Sequence, residues 1–176
     1  MNQAPFEVPG LHTAALVLRD AALVQDLLER CAEFQAMVEG EPPRADEAAR
    51  LFRDLPSCYD ERCIVGLVAA DGARLAGLLD VIGGYPARGA WWVGLLLLAP
   101  EERGRGIGAG AYRAFEAWAA ARGAREVGLV VQQVNPAARR FWDRLGFAET
   151  GTAVQRLARC EHVVWRMQKI LAALPG

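Results

Sequence analysis

The chain has 176 residues, 53% of them hydrophobic, and a formal net charge of −1; that is enough for one well-buried domain and short for two. A near-neutral balance excludes a protein built mainly to grip nucleic acid, and no apolar run approaches the roughly 18 residues that span a bilayer. The start, M-N-Q-A-P-F-E-V-P-G, has no basic stretch followed by an apolar core. The expectation is a cytoplasmic domain spanning 1–176, with no nucleic-acid and no membrane partner. Cys31, Cys58, Cys63 and Cys160 lack C-x-x-C spacing, and His12 and His162 have no partner at metal or triad spacing, so no metal is expected. Lys169 is the only lysine, a bias that takes functional meaning away from the arginine count.

Residues 11 to 19, L-H-T-A-A-L-V-L-R, read as a first strand. Asp20 can cap a helix, and Leu23, Leu27, Leu28, Cys31 and Phe34 recur at helical spacing, which predicts one amphipathic helix from Ala21 to about Val38, stopped by Gly40. E-P-P-R-A-D-E-A-A-R-L-F-R-D-L-P restarts as a second helix, with prolines at its entry and Pro56 past its end. From Arg62 the period changes, and C-I-V-G-L-V-A-A and A-R-L-A-G-L-L-D-V-I form a hairpin through an Asp71-Gly72 turn. Ala90 to Leu98 is the next strand. A helix from Gly108 to about Ala121, a strand R-E-V-G-L-V-V-Q-Q, a helix opened by Asn135-Pro136 and closed by Gly146, and strands near 148 to 155 and 160 to 168 complete the chain. Strands with helices between and after them give an α/β domain with a mixed sheet.

The informative stretch is L-L-L-L-A-P-E-E-R-G-R-G-I-G, from Leu95 to Gly108. A run too apolar to be anything but a buried strand meets a turn nearly without side chains, and an amphipathic helix follows at once. Glycines 104, 106 and 108 let backbone N–H groups approach a ligand, and the helix start adds unpaired donors and the positive end of its dipole. Arg103 and Arg105 add charge. Gly106, Gly108 and Ala111 also satisfy the dinucleotide pattern G-x-G-x-x-A. In that fold, however, the strand runs almost directly into the first glycine, whereas A-P-E-E-R-G-R intervenes here, and Glu126 precedes the next strand where an acid should end it.

The alternative pattern is R-x-x-G-x-G at Arg103, Gly106 and Gly108, followed by N-x-x-A-x-x-F-x-x-x-x-G-F at Asn135, Ala138, Phe141, Gly146 and Phe147. The two halves together resemble the GNAT superfamily of N-acetyltransferases, closely over about Trp91 to Phe147. The resemblance implies a mixed, mostly antiparallel sheet of about seven strands, splayed between the fourth and fifth, with about four helices. It implies acetyl-CoA as donor, a primary amine as acceptor, and direct transfer without an acyl-enzyme. Carried over by position, the main chain from Leu96 through Leu97 to Leu98 pairs with the pantetheine arm, and the Leu96 N–H donates to the thioester carbonyl as it becomes an oxyanion. Arg103, Gly104, Arg105, Gly106, Ile107 and Gly108 hold the pyrophosphate. Asn135 lines the groove beside the pantetheine, and Ala138 and Phe141 are cofactor-binding positions as well. Many members pair through their C-terminal strands, so a homodimer is also implied.

The sequence departs from the family at Trp142, five residues before Phe147, where many members have the Tyr that protonates the leaving thiolate. Tyr112, a water or unassisted departure are the alternatives. The fourth strand has no Glu, which leaves Asp80 and Tyr85 as the nearest base candidates. The acceptor reads as a small molecule, because no strongly acidic stretch offers itself to a lysine-rich peptide. The rival reading is a non-catalytic acyl-CoA-binding or sensor module, supported by Trp142.

Overall fold

The computed structural model describes residues 1–69, 72–157 and 160–172. One eight-stranded sheet organises them, with strands β1 (Asn2–Gln3), β2 (His12–Ala15), β3 (Glu61–Val68), β4 (Leu75–Gly83), β5 (Ala90–Leu98), β6 (Glu126–Gln132), β7 (Ala148–Arg156) and β8 (Glu161–Ile170). The order across the sheet is β1-β2-β3-β4-β5-β6-β8-β7, and every neighbouring pair is antiparallel except β5 and β6. The helices are α1 (Ala21–Arg30), α2 (Ala32–Glu39), α3 (Glu47–Arg53), α4 (Ile107–Ala121) and α5 (Pro136–Arg144). Among the described residues no helix is long and apolar enough to cross a membrane.

The L-L-L-L run is apolar because both faces of β5 are covered. Leu95 and Leu97 join the cluster that α1 and α3 build with Val24, Leu27, Leu28 and Ala48, while Leu96 and Leu98 join the cluster around Tyr112 and Phe115 of α4. Alternating side chains therefore serve two cores, and no polar position is left between them.

Counts differ from expectation at two places, each for a local reason. The single helix expected from Ala21 to Val38 breaks at Cys31, whose backbone leaves the helical region (φ −100, ψ 23). Its buried thiol donates to the Leu98 carbonyl at 3.4 Å, and Arg30 beside it donates to the Leu75 carbonyl at 2.6 Å and pairs with Glu101 at 2.8 Å. These ties hold α1 to the sheet and release α2 in a new direction. The extra strand is β1, two residues paired with Ala14 and Ala15. Asp71, of the expected hairpin turn, lies outside the described residues.

β5 and β6 pair only over Ala90–Trp92 against Glu126–Gly128 and diverge beyond that point. The cause lies on the other edge of β5. Asp80 faces Leu95 and Val81 faces Val93, so Gly94 is a bulged residue with no partner in β4. A bulge bends and twists its strand, and this one falls two residues after the last β5–β6 pair. Glycine leaves room there, since an added Cβ would lie 3.2 Å from Asp80 Oδ2, a tight contact with a side chain that Arg62 holds in place.

Candidate active site

The divergence opens a groove of about 390 Å³. Its floor is Val93, Gly94, Leu95 and Leu96 of β5; β6 contributes Leu129 to Gln132, and Asn135, Ala138 and Trp142 close the α5 side. The opposite wall comes from Leu28 of α1, Phe34, Gln35, Val38 and Glu39 around α2, and Glu47 and Leu51 of α3. From Val93 onward the β6-facing edge of β5 has no strand partner among the described residues, which leaves its main-chain groups open to a ligand as far as the Leu98 carbonyl, where Cys31 and Arg103 donate.

β5 leads through a short turn, Pro100–Glu102, into the glycine loop. Gly104 (φ +75) and Gly106 (φ +79) are left-handed, a conformation that other residues adopt at a cost, and a Cβ at either would meet nothing within 4 Å. Gly106 is the N-cap of α4 and its carbonyl accepts the Gly110 N–H at 2.9 Å. The N–H groups of Ile107, Gly108 and Ala109 have no acceptor among the described residues. Gly108 packs closely: a Cβ there would lie 3.3 Å from the Leu98 side chain and 3.5 Å from Phe141, so this turn sits between the end of β5 and α5. The arrangement is an open cradle of main-chain donors at the positive end of a helix.

The two arginines of the loop are engaged within the protein. Arg103 turns back, its Nε donating to the Leu98 carbonyl at 3.1 Å and its Nη2 lying 3.7 Å from Cys31 Sγ. Arg105 is 64% exposed and pairs with Glu102 at 2.6 Å. Arg103 thus fixes the loop to β5 and to the break between α1 and α2, and the free donors of the cradle are backbone. Asn135 caps α5 by accepting the Ala138 N–H at 3.0 Å, and its position also borders the groove.

Asp80 does reach the groove, 97% buried, but both its oxygens are taken: Arg62 Nε donates to Oδ1 at 2.8 Å and Nη2 to Oδ2 at 2.7 Å. Arg62 completes its set on the Leu51 and Asp54 carbonyls at 2.8 and 3.2 Å, joining α3 to the sheet. Tyr85 is not brought to the groove; its ring packs edge-on against Trp92 at 5.6 Å between centroids. Tyr112 is also absent from the lining. It is fully buried behind Trp142, 5.4 Å between ring centroids, and burial together with Glu116 drives its hydroxyl pKa far up.

Several lining residues carried no sequence signal. Glu39, Glu47 and Asp54 border the groove with no ion-pair partner among the described residues. Burial first, then the negative charge of Glu47, raises the Glu39 carboxyl above its ordinary pKa. Gln132 donates to Gln155 at 3.0 Å, placing a β7 side chain at the groove as well.

The model of the acetyltransferase (GNAT) family matches residues 21–147. No curated protein matches significantly. Among solved structures, an acetyltransferase from Thermus thermophilus is 24% identical with a TM-score of 0.70, covering 93% of this chain and 99% of that one. Spermidine N-acetyltransferase from Vibrio cholerae, in complex with CoA and spermine, is 20% identical with a TM-score of 0.70, covering 91% and 95%. A GCN5-related N-acetyltransferase from Kribbella flavida is 21% identical with a TM-score of 0.67, covering 92% and 98%. With the family model spanning the helices, the splayed strands and the glycine cradle alike, the chain belongs to the GNAT acetyltransferase family.

Proposed function

We propose that the chain, acting as one domain over 1–176, moves an acetyl group from acetyl-CoA directly to a primary amine of a small molecule. The observation that carries this reading is the free edge of β5 running into the main-chain cradle at Gly106. An extended amide-bearing arm can add to that edge as a strand does, and a pyrophosphate fits unpaired N–H groups at a helix start. A neighbour of the same fold was solved with CoA and spermine, which supports an acyl-CoA donor and an amine acceptor.

In this proposal Leu96 to Leu98 align the pantetheine arm, and Gly104, Gly106, Ile107 and Gly108 hold the pyrophosphate by main chain, with Arg103 keeping the loop in place. The Leu96 N–H stabilises the oxyanion. The amine nitrogen attacks the thioester carbon, the C–S bond breaks, and the amine proton passes through water to a groove carboxylate. Glu39 suits that step better than Asp80, since it lines the groove, makes no ion pair among the described residues and holds its proton to higher pH than an ordinary carboxyl. Trp142 walls the groove without donating a useful proton, so the thiolate takes its proton from water. The groove's carboxylates outnumber its one guanidinium, which Asp80 already neutralises; an amine carrying a second positive charge fits that balance.

The test is thiol release from acetyl-CoA over a panel of monoamines, diamines and amino acids. Release with diamines favoured is expected. Tight acetyl-CoA binding with no release on any member would favour the sensor module, the reading that Trp142 supports. The edge strand β7, with Val154 exposed, supports pairing of two copies; sedimentation of the purified chain at a dimer's mass is the expected outcome.

A further inference from the structure

The last carbonyls of a helix have no partner inside it, and one of those of α2 is capped from the other end of the chain. The Val38 carbonyl accepts from His162 Nε2 at 2.9 Å and from Cys160 Sγ at 3.2 Å, donors 124 and 122 residues away. Sγ and Nε2 lie 3.3 Å apart, so the three groups form one cluster. A carbonyl oxygen only accepts, which puts the ring proton on the nitrogen facing it; two lone pairs serve the two donors. The backbone of Gly40 packs on the same place, where an added Cβ would lie 3.7 Å from Cys160 Cβ.

The cluster spans the groove's two sides. Val38 and its neighbour Glu39 form part of the α2 wall, while His162 stands opposite Gln155 in the β7–β8 ladder, and Gln155 lines the groove too. Because α2 is separated from α1 by the break at Cys31, its C-terminal turn is not held by a continuous helix, and α2 is short at eight residues. The cap supplies what the break removed.

We propose that His162 and Cys160 are positioning residues for amine acceptance: by capping α2 from β8 they fix Val38 and Glu39 against Gln155 and set which amines the groove admits. This rests on the amine-acylation reading above. Neither side chain touches the reacting atoms. Both act through Val38, and the donor cradle at the opposite end of β5 does not depend on them.

The variants are His162→Ala, His162→Gln, whose amide N–H can reach the same carbonyl, and Cys160→Ala. Hydrogen exchange of the Gly40 amide, which bonds to the Ala36 carbonyl at 3.0 Å, is read in substrate-free protein. Amine KM and kcat, and acetyl-CoA affinity by calorimetry, are read beside it. For His162→Ala the expected results are exchange and amine KM both raised about tenfold, the scale of one lost hydrogen bond, with kcat and acetyl-CoA affinity within about twofold. Cys160→Ala gives a smaller change of the same kind, and His162→Gln returns most of the loss. Unchanged exchange and KM in both alanine variants overturn the proposal, as does an equal loss of acetyl-CoA affinity, which would mark a general loosening of the fold. Should the wild-type chain acylate no amine, the transferase reading fails by itself; the exchange arm still reads the cap, and calorimetric amine binding replaces KM.

Discussion

The two ends of the groove are built from different materials. The proposed donor end runs from Leu96 in the groove lining to the turn at Gly108 beyond it and offers main chain: a strand edge without a strand partner, left-handed glycines and helix N–H groups with no acceptor among the described residues. The proposed acceptor end offers side chains gathered from α2, α3, β3, β4 and β7, with Glu39, Glu47, Arg62, Asp80 and Gln155 lining one groove across more than a hundred residues of chain. Main-chain recognition suits a ligand common to a family, since it tolerates almost any change except at glycine. Side-chain recognition suits a ligand particular to one member, since each position varies by itself.

Four changes break or sharpen that contrast. The largest effect belongs to Arg62→Ala, which strands a buried Asp80 without its partner. The expected loss of stability is about 3–5 kcal/mol in chemical denaturation, and the acceptor wall goes with it because Arg62 also holds the Leu51 and Asp54 carbonyls. Gly106→Val strikes the donor end. A β-branched residue at φ +79 costs about 1–2 kcal/mol of strain and re-aims the cradle; acetyl-CoA affinity by calorimetry falls about a hundredfold, while amine affinity holds.

Glu39→Gln strikes the acceptor end alone, lowering kcat/KM about a hundredfold with acetyl-CoA affinity unchanged. Its stability moves the other way. Burial and Glu47, against the milder pull of Arg44 and Arg50, let the folded state keep the Glu39 proton to higher pH than the unfolded chain does. Folding is therefore weakened as pH rises through that window. Melting curves of the Gln variant should match the wild type well below the window and rise above it by less than about 2 °C. The smallest effect is Arg105→Ala, less than about threefold in acetyl-CoA affinity, because Arg105 is exposed and already paired with Glu102.

The strand, glycine turn and helix of the proposed donor end were legible in sequence because an apolar run followed by glycines at fixed spacing is a local pattern, and β5 and the start of α4 fall within a residue of their expected places. The acceptor end was not. Arg62 and Asp80 lie 18 residues apart on neighbouring strands, and nothing in either residue's surroundings marks the pair. The break at Cys31 interrupts no periodicity, since Leu27, Cys31 and Phe34 continue the helical spacing; a tertiary bond to the Leu98 carbonyl decides it. Tyr85 follows β4 as a base candidate should, but its ring is spent on Trp92. His162 stands alone in sequence because its partners are a backbone carbonyl 124 residues away and a thiol two residues before it.

Calorimetric titration of acetyl-CoA into the wild-type chain and into the Gly106→Val variant tests the central claim most directly. Saturable one-to-one binding to the wild type, lost in the variant while its melting transition persists, is the predicted result. No binding to the wild type, or binding undiminished in the variant, would contradict a donor site built from the β5 edge and the α4 cradle.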